Sequence, residues 1–153
     1  MSLPIAVIDT SSIITDRKAL VDAADENLYV PYWSPAIIGE LYRVLTIRQT
    51  EIHMGKGGLL DAAFKRQLSQ QSKQMMLIIS TLFEIADPKP PYPSSWLHNV
   101  DPDDIPIWAA AKLVGADYVV SCNHTDFPPG RKYKGIEYIM PAEFFRRIGY
   151  TQV

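Results

Sequence analysis

The sequence predicts an α/β fold: three α/β/α layers around a central parallel sheet of about five strands, in one domain over residues 1–153. Three observations predict it. Short β-prone apolar runs alternate with helix-patterned segments along the whole chain. Several of the runs are continuous enough to read as buried strands. The 153 residues, 47% hydrophobic and 21% charged, suit one domain with a real core and argue against extensive disorder.

The elements follow in order. Pro4 to Ile8 predicts the first strand, ending at Asp9 and the polar run Thr10, Ser11, Ser12. A helix is expected from about Asp16 to Asp25, then a strand from Leu28 to Tyr32, rich in β-forming residues. Ser34 supplies an N-cap and Pro35 a first-turn proline for a helix to about Gln49, with Ile37, Leu41, Val44 and Leu45 as its apolar stripe. Gly55, Gly57 and Gly58 interrupt the chain before a long helical pattern from about Leu59 to Thr81. Phe83 to Ala86 fits a third strand. Pro88, Pro90, Pro91 and Pro93 keep residues 87–99 extended and irregular. Helix signals return from Asp101 to Val114, closed by Gly115. Asp117 to Ser121 fits a strand, followed by a glycine-, proline- and lysine-rich loop to Lys134. Ile136 to Met140 is the last expected strand, and Pro141 to Ile148 a closing helix.

A net charge of −2 excludes holding nucleic acid by bulk positive charge. A polyanion would have to meet a local basic patch or a metal ion that reverses the sign of an acidic pocket. The single cysteine, Cys122, excludes a disulfide framework and a four-cysteine zinc site. No apolar run reaches the roughly 20 residues of a membrane span, and the first residues lack signal-peptide features. A cytoplasmic protein without membrane association is the expectation.

Acidic and amide side chains fall where an open α/β sheet gathers ligands, in the crevice beyond the strand ends. Asp9 ends the first strand, and Asn123 to Asp126 follow the fourth. Glu40 flanks the apolar stripe of its helix, and Asp104 opens the helix that feeds the fourth strand. Singly, each has a structural explanation: a cap or turn hydrogen bond for Asp9, a solvated position or a salt bridge with Arg43 or another cation for Glu40, capping and dipole compensation for Asp101, Asp103 and Asp104, a turn for Asp126. Together they point to chemistry. Clustered carboxylates repel unless a cation joins them. Mg²⁺ or Mn²⁺, hard ions that take carboxylate, water and phosphate oxygens, resolve that repulsion. Such a site admits a polyanion and suits hydrolysis of a phosphodiester.

The segments AVIDTSSII, WSPAIIGELYRVL, DPDDIPIWAAAKLVGADYVVSCNHTDF and GIEYIMPAEFF, spread over almost the whole chain, resemble PIN-domain ribonucleases. Within that family the chain is similar to VapC-like toxin components of toxin–antitoxin pairs. The resemblance implies metal-binding, catalytic acids at Asp9, Glu40 and Asp104. The fourth position, usually aspartate, aligns with Asn123, while Asp126 follows three residues later; the role falls to one or the other. Ser11 matches a small polar residue near the metal, and Asp101 an additional upstream acid. Pro106 and Trp108 fit the pattern loosely. The resemblance also implies RNA cleavage leaving 5′-phosphate and 3′-hydroxyl ends, a cognate antitoxin that inserts a segment into the active-site groove, and a homodimer.

Candidate RNA-contacting cations are Arg43 and Arg48 near Glu40, then Lys56, Lys65, Arg66, Arg131, Lys132 and Lys134, with Arg43 the first choice because it lies one turn from Glu40. His124 adjoins the fourth acidic position, but no metal-ligand spacing links it to His53 or His98. Cys122 reads as a small packed hydrophobe, and Trp33, Trp96 and Trp108 as core or interface. A non-catalytic RNA- or protein-binding module on the same fold is the alternative, motivated by Asn123 and the small basic patch. A phosphatase with Asp9 as nucleophile lacks the second aspartate, since Ser11 stands there, and no Walker-type run exists.

Overall fold

The computed structural model describes residues 2–92, 104–122 and 132–151. Its strands are β1 (Ile5–Ile8), β2 (Val30–Trp33), β3 (Glu84–Ile85), β4 (Tyr118–Val120), β5 (Lys132–Tyr133) and β6 (Ile136–Ile139). Its helices are α1 (Thr10–Asp25), α2 (Pro35–Gly55), α3 (Ala62–Leu82), α4 (Ile105–Val114) and α5 (Pro141–Ile148). Among the described residues they form one sheet in the order β3-β2-β1-β4-β6-β5. The first five strands in that order run parallel. Helices flank the sheet, giving the expected three-layer α/β/α architecture.

The sequence places most elements within a few residues, and the departures have physical causes. α1 starts at Thr10, not near Asp16. The polar run is helical because Asp9 caps it and its carbonyl accepts from the Ser12 and Ile13 amides at 3.1 and 3.2 Å. Asp16 interrupts the helix with φ −129° and ψ 25°. There the Thr15 hydroxyl turns back to the Ser11 carbonyl at 3.1 Å, a contact that bends helices. α2 continues to Gly55, beyond the expected end near Gln49. β5 was expected as loop. It pairs antiparallel with β6, Tyr133 opposite Ile136, across a two-residue turn in which Lys134 (φ 50°) and Gly135 (φ 84°) are both left-handed. Residues 93–103 and 123–131, where Pro93, Trp96, His98, Asp101 and the Asn123–Asp126 turn fall, lie outside the described residues.

Caps fix the helix ends. The Ser34 hydroxyl accepts from Ile37 N at 3.2 Å with Pro35 in the first turn, and Asp61 Oδ1 accepts from Phe64 N at 2.8 Å. Gly115, at φ 63°, closes α4 in a left-handed conformation that a Cβ would strain. Val7, Ile8, Val119 and Val120 are fully buried, as strands covered on both faces require. Leu20, Ile37, Leu41, Ile79 and Phe144 pack around them. Phe144 meets Tyr29 and Tyr118 edge-on at centroid distances of 4.9 and 5.6 Å. The buried Tyr29 hydroxyl donates to the Leu20 carbonyl at 2.9 Å, and burial pushes its ionisation upward.

At the far end of the chain, Arg147 bridges Glu137 at 2.8 Å and Glu143 at 3.1 Å, and Arg146 also pairs with Glu143. The hydrogen bond from Arg146, aided by Arg147, holds the Glu143 carboxyl below its ordinary value of 4.5.

Phe144→Ala removes the central ring of this aromatic group, so urea unfolding should show a loss of about 3–5 kcal/mol. Glu143 is a group of depressed pKa. Its stabilisation is therefore present above the unfolded-state value and lost as pH falls through the folded one. Glu143→Gln should lower the urea midpoint at neutral pH, and the difference from wild type should close in acid below the carboxylate range. A gap that stays constant with pH would contradict the ion pairing.

Candidate active site

Strand order reverses about β1, which has β2 on one side and β4 on the other. The crevice at the carboxyl ends of β1 and β4 is therefore the switch point of this sheet. Asp9 sits there. Its amide extends the β1–β4 pairing by donating to the Val120 carbonyl at 2.9 Å. Its carboxylate is held at both oxygens: Oδ1 accepts from Thr10 N at 2.8 Å, and Oδ2 from the Ser121 hydroxyl at 2.9 Å and the Ser11 hydroxyl at 3.3 Å. Ser11 Oγ lies 3.3 Å from Ser121 Oγ and accepts from Cys122 N at 3.1 Å. All these donors are neutral, so they orient the carboxylate without cancelling its charge. Asp9 is thus a helix cap and a site residue at once.

Glu40 joins through the same turn. The Thr10 hydroxyl donates to Glu40 Oε2 at 3.2 Å, while the Thr10 amide holds Asp9. One residue, 3% exposed, therefore ties together two carboxylates from separate elements. Glu40 is exposed and makes no ion pair with Arg43 among the described residues, so the salt-bridge explanation of Glu40 is not realised. Arg43 is exposed one turn further along α2.

Asp104 occupies the N-cap position of α4, and its side chain makes no capping hydrogen bond. Because α4 runs back along the sheet into β4, Asp104 lies toward the same carboxyl edge as Asp9. Among the described residues, no three His, Cys, Asp or Glu side chains are grouped closely enough to hold a metal ion. The structure thus unites Asp9, Glu40 and Ser11 but does not bring Asp104 into a triad with the two acids. Asp126, Asn123, Asp101, His124 and Arg131 lie outside the described residues.

Sequence reasoning overlooked Thr10 and Ser121. Ser121 is 1% exposed at the end of an apolar strand, and a polar residue at such a strand end was the available signal. Cys122 departs from the packed-hydrophobe expectation. It is half-buried, with Sγ 3.3 Å from Thr15 Oγ1 and 3.9 Å from Ser12 Oγ. Trp33 and Trp108 are core residues, as expected. His53 stacks on Phe64 at 3.8 Å, and its Nε2 lies 2.8 Å from the Leu59 carbonyl, so it fastens the α2–α3 turn.

Among the described residues, the hydrogen-bonded group at this crevice is a set of oxygen donors: two carboxylates bridged by a hydroxyl, with two serine hydroxyls beside them. That donor set fits a hard divalent cation, which takes one or two carboxylates and completes its shell with water and phosphate oxygens.

Comparison with known proteins agrees with the architecture. A family model described as PIN domain matches residues 5–125. The crystal structure of PAE2754 from Pyrobaculum aerophilum superposes with a TM-score of 0.59 at 14% identity, covering 95% of this chain and 90% of that one. At that identity the likeness concerns the fold. No curated protein sequence matches the chain. Among the described residues, no helix is long and apolar enough to cross a membrane.

Ser121→Ala deletes a buried donor to Asp9 Oδ2. Denaturant unfolding should register a loss of about 1 kcal/mol; an unchanged midpoint would mean that Ser121 does not hold Asp9.

Proposed function

The chain belongs to the PIN domain family, and from that premise we propose that it is a divalent-metal-dependent endoribonuclease, hydrolysing RNA phosphodiester bonds as the toxin of a toxin–antitoxin module. The observation that carries this reading is the Thr10-bridged pair of Asp9 and Glu40 at the sheet's switch point. In this reading Asp9, Glu40 and Asp104, with Asp126 or Asn123, hold Mg²⁺ or Mn²⁺. When bound, the ion supplies Lewis acidity that makes water a stronger nucleophile at neutral pH and offsets the charge of the phosphate.

The remaining work belongs to the chain's own side chains. Ser121 and Ser11 fix the second oxygen of Asp9, so the carboxylate does not reorganise as a substrate arrives. Thr10 sets the relation between Asp9 and Glu40. Arg43, exposed beside Glu40, binds a backbone phosphate and draws the polyanion to an otherwise acidic crevice. Water attacks phosphorus in line, the 3′ oxygen leaves with a proton, and the ends are 5′-phosphate and 3′-hydroxyl. The toxin role, the antitoxin partner, the pairing of two copies and a cytoplasmic setting rest on the resemblance of the sequence segments.

The test is cleavage of total RNA by purified, antitoxin-free protein with Mn²⁺, Mg²⁺ or EDTA. Cutting should require metal and fall to background in Asp9→Asn and Asp104→Asn. Thr10→Val, which keeps shape but removes the bridging hydroxyl, should weaken Mn²⁺ binding by about 10–100-fold in a calorimetric titration, and Thr10→Ser should restore most of it. Absence of cutting with every metal, with RNA or protein binding retained, would instead identify a non-catalytic binding module.

A further inference from the structure

Between α1, α2 and α3 lies an open cavity of about 420 Å³, away from the acidic crevice. Its polar lining is Arg17, Gln49, Gln71, Ser72 and Gln74, over an apolar floor that includes Met75. The volume is within the range of small-ligand sites. Two of its groups are short of partners among the described residues. The Arg17 guanidinium has one hydrogen-bond contact, to Met75 Sδ at 2.9 Å, and a thioether is a weak acceptor. Ser72 is only 4% exposed, and no described residue hydrogen-bonds its hydroxyl, which leaves the cavity as the place for a partner.

Charge points to an anion. Among the described residues no acid lines the cavity, and α3 carries Lys65, Arg66 and Lys73 without a single Asp or Glu, in a chain whose net charge is −2. Arg17, Lys65, Arg66 and Lys73 make no ion pair among the described residues, whereas Arg146 and Arg147 on α5 are neutralised by glutamates. A second concavity of about 650 Å³ continues along α3, sharing Gln71 and Gln74 and adding Lys73. Glutamine amides both donate and accept, as base edges require, and an apolar floor receives a base face.

We propose that this cavity is a nucleotide subsite, in which Arg17 holds a phosphate and Gln49, Gln71, Gln74 and Ser72 contact a base of single-stranded RNA. The inference takes the identity of its polyanion from the ribonuclease reading and places the subsite at a distance from the cutting point. Arg17 lies eight residues beyond Asp9, past the interruption of α1 at Asp16, so the subsite and the acidic crevice are carried by the same chain segment.

The experiment is fluorescence anisotropy of a short labelled single-stranded RNA in EDTA, where binding is read without metal-dependent cutting. Arg17→Ala and Gln74→Ala should each weaken binding about tenfold, and Arg146→Ala should not. Arg17→Ala should also flatten the dependence of log affinity on log salt by about 0.7, the share of one phosphate on a single strand. Wild-type protein that binds no RNA, or variants that bind it as wild type does, would overturn the subsite; in the latter case loss of an acidic protein partner would reassign the cavity to docking. Failure here beside intact Mn²⁺-dependent cleavage leaves the ribonuclease reading standing, and the reverse result separates the two equally well. Because Arg17 and Gln74 are exposed, both variants should keep the wild-type melting temperature.

Discussion

Parallel pairing between β1 and β4 is the constraint on which the rest of this structure depends. Chain continuity links β1 to β2 through α1, yet β1's other neighbour arrives more than a hundred residues later. The hydrogen bond from Asp9 N to the Val120 carbonyl continues that pairing past the last strand residue. Asp9, Ser11 and Ser121 are thereby brought within hydrogen-bond reach of one another. The first turn of α1 then directs Thr10 toward α2, where Glu40 receives it. Burial on both faces makes the register strict, because a one-residue slip would swap the faces of Val7, Ile8, Val119 and Val120 and disrupt close packing in both helical layers. The site inherits its precision from that register.

Much of the fold was legible because its signals are local. Apolar runs, proline at a first turn and glycine after a last turn each act within a few residues, and Ser34-Pro35 and Gly115 do what their chemistry implies. Legibility failed where local rules were overridden. The Thr10–Ser12 run has poor helix propensity, and the break at Asp16 divides the pattern. Lys134 adopts a left-handed conformation usually left to asparagine or glycine, which hid the hairpin. In the site, Asp9 and Glu40 could be read from position relative to strand end and apolar stripe. Thr10 and Ser121 were harder to read, because the Thr10 hydroxyl reaches Glu40 on another helix and Ser121 reaches Asp9 from the end of β4, with a polar strand end as the local signal for Ser121.

The two ends of the molecule use positive charge differently. On α5, arginines are spent on glutamates, which fastens the last helix to β6 through Glu137. Around the cavity between α1, α2 and α3, Arg17 and Lys73 stand beside glutamines rather than acids, although elsewhere on α1 Lys18 pairs with Asp22. An acidic chain therefore presents one helical face on which an anion meets little competition, although net charge alone would argue against it.

The sheet's margins carry a separate consequence. Both outermost strands, β3 and β5, are two residues long, and Lys132 lies on one of them. A margin so short offers few unpaired amides and carbonyls to an incoming chain. Copies of this protein crowded together during synthesis consequently find little backbone on which to add strands. The parallel interior is shielded from templated aggregation, and contacts between molecules are left to side chains on the helices.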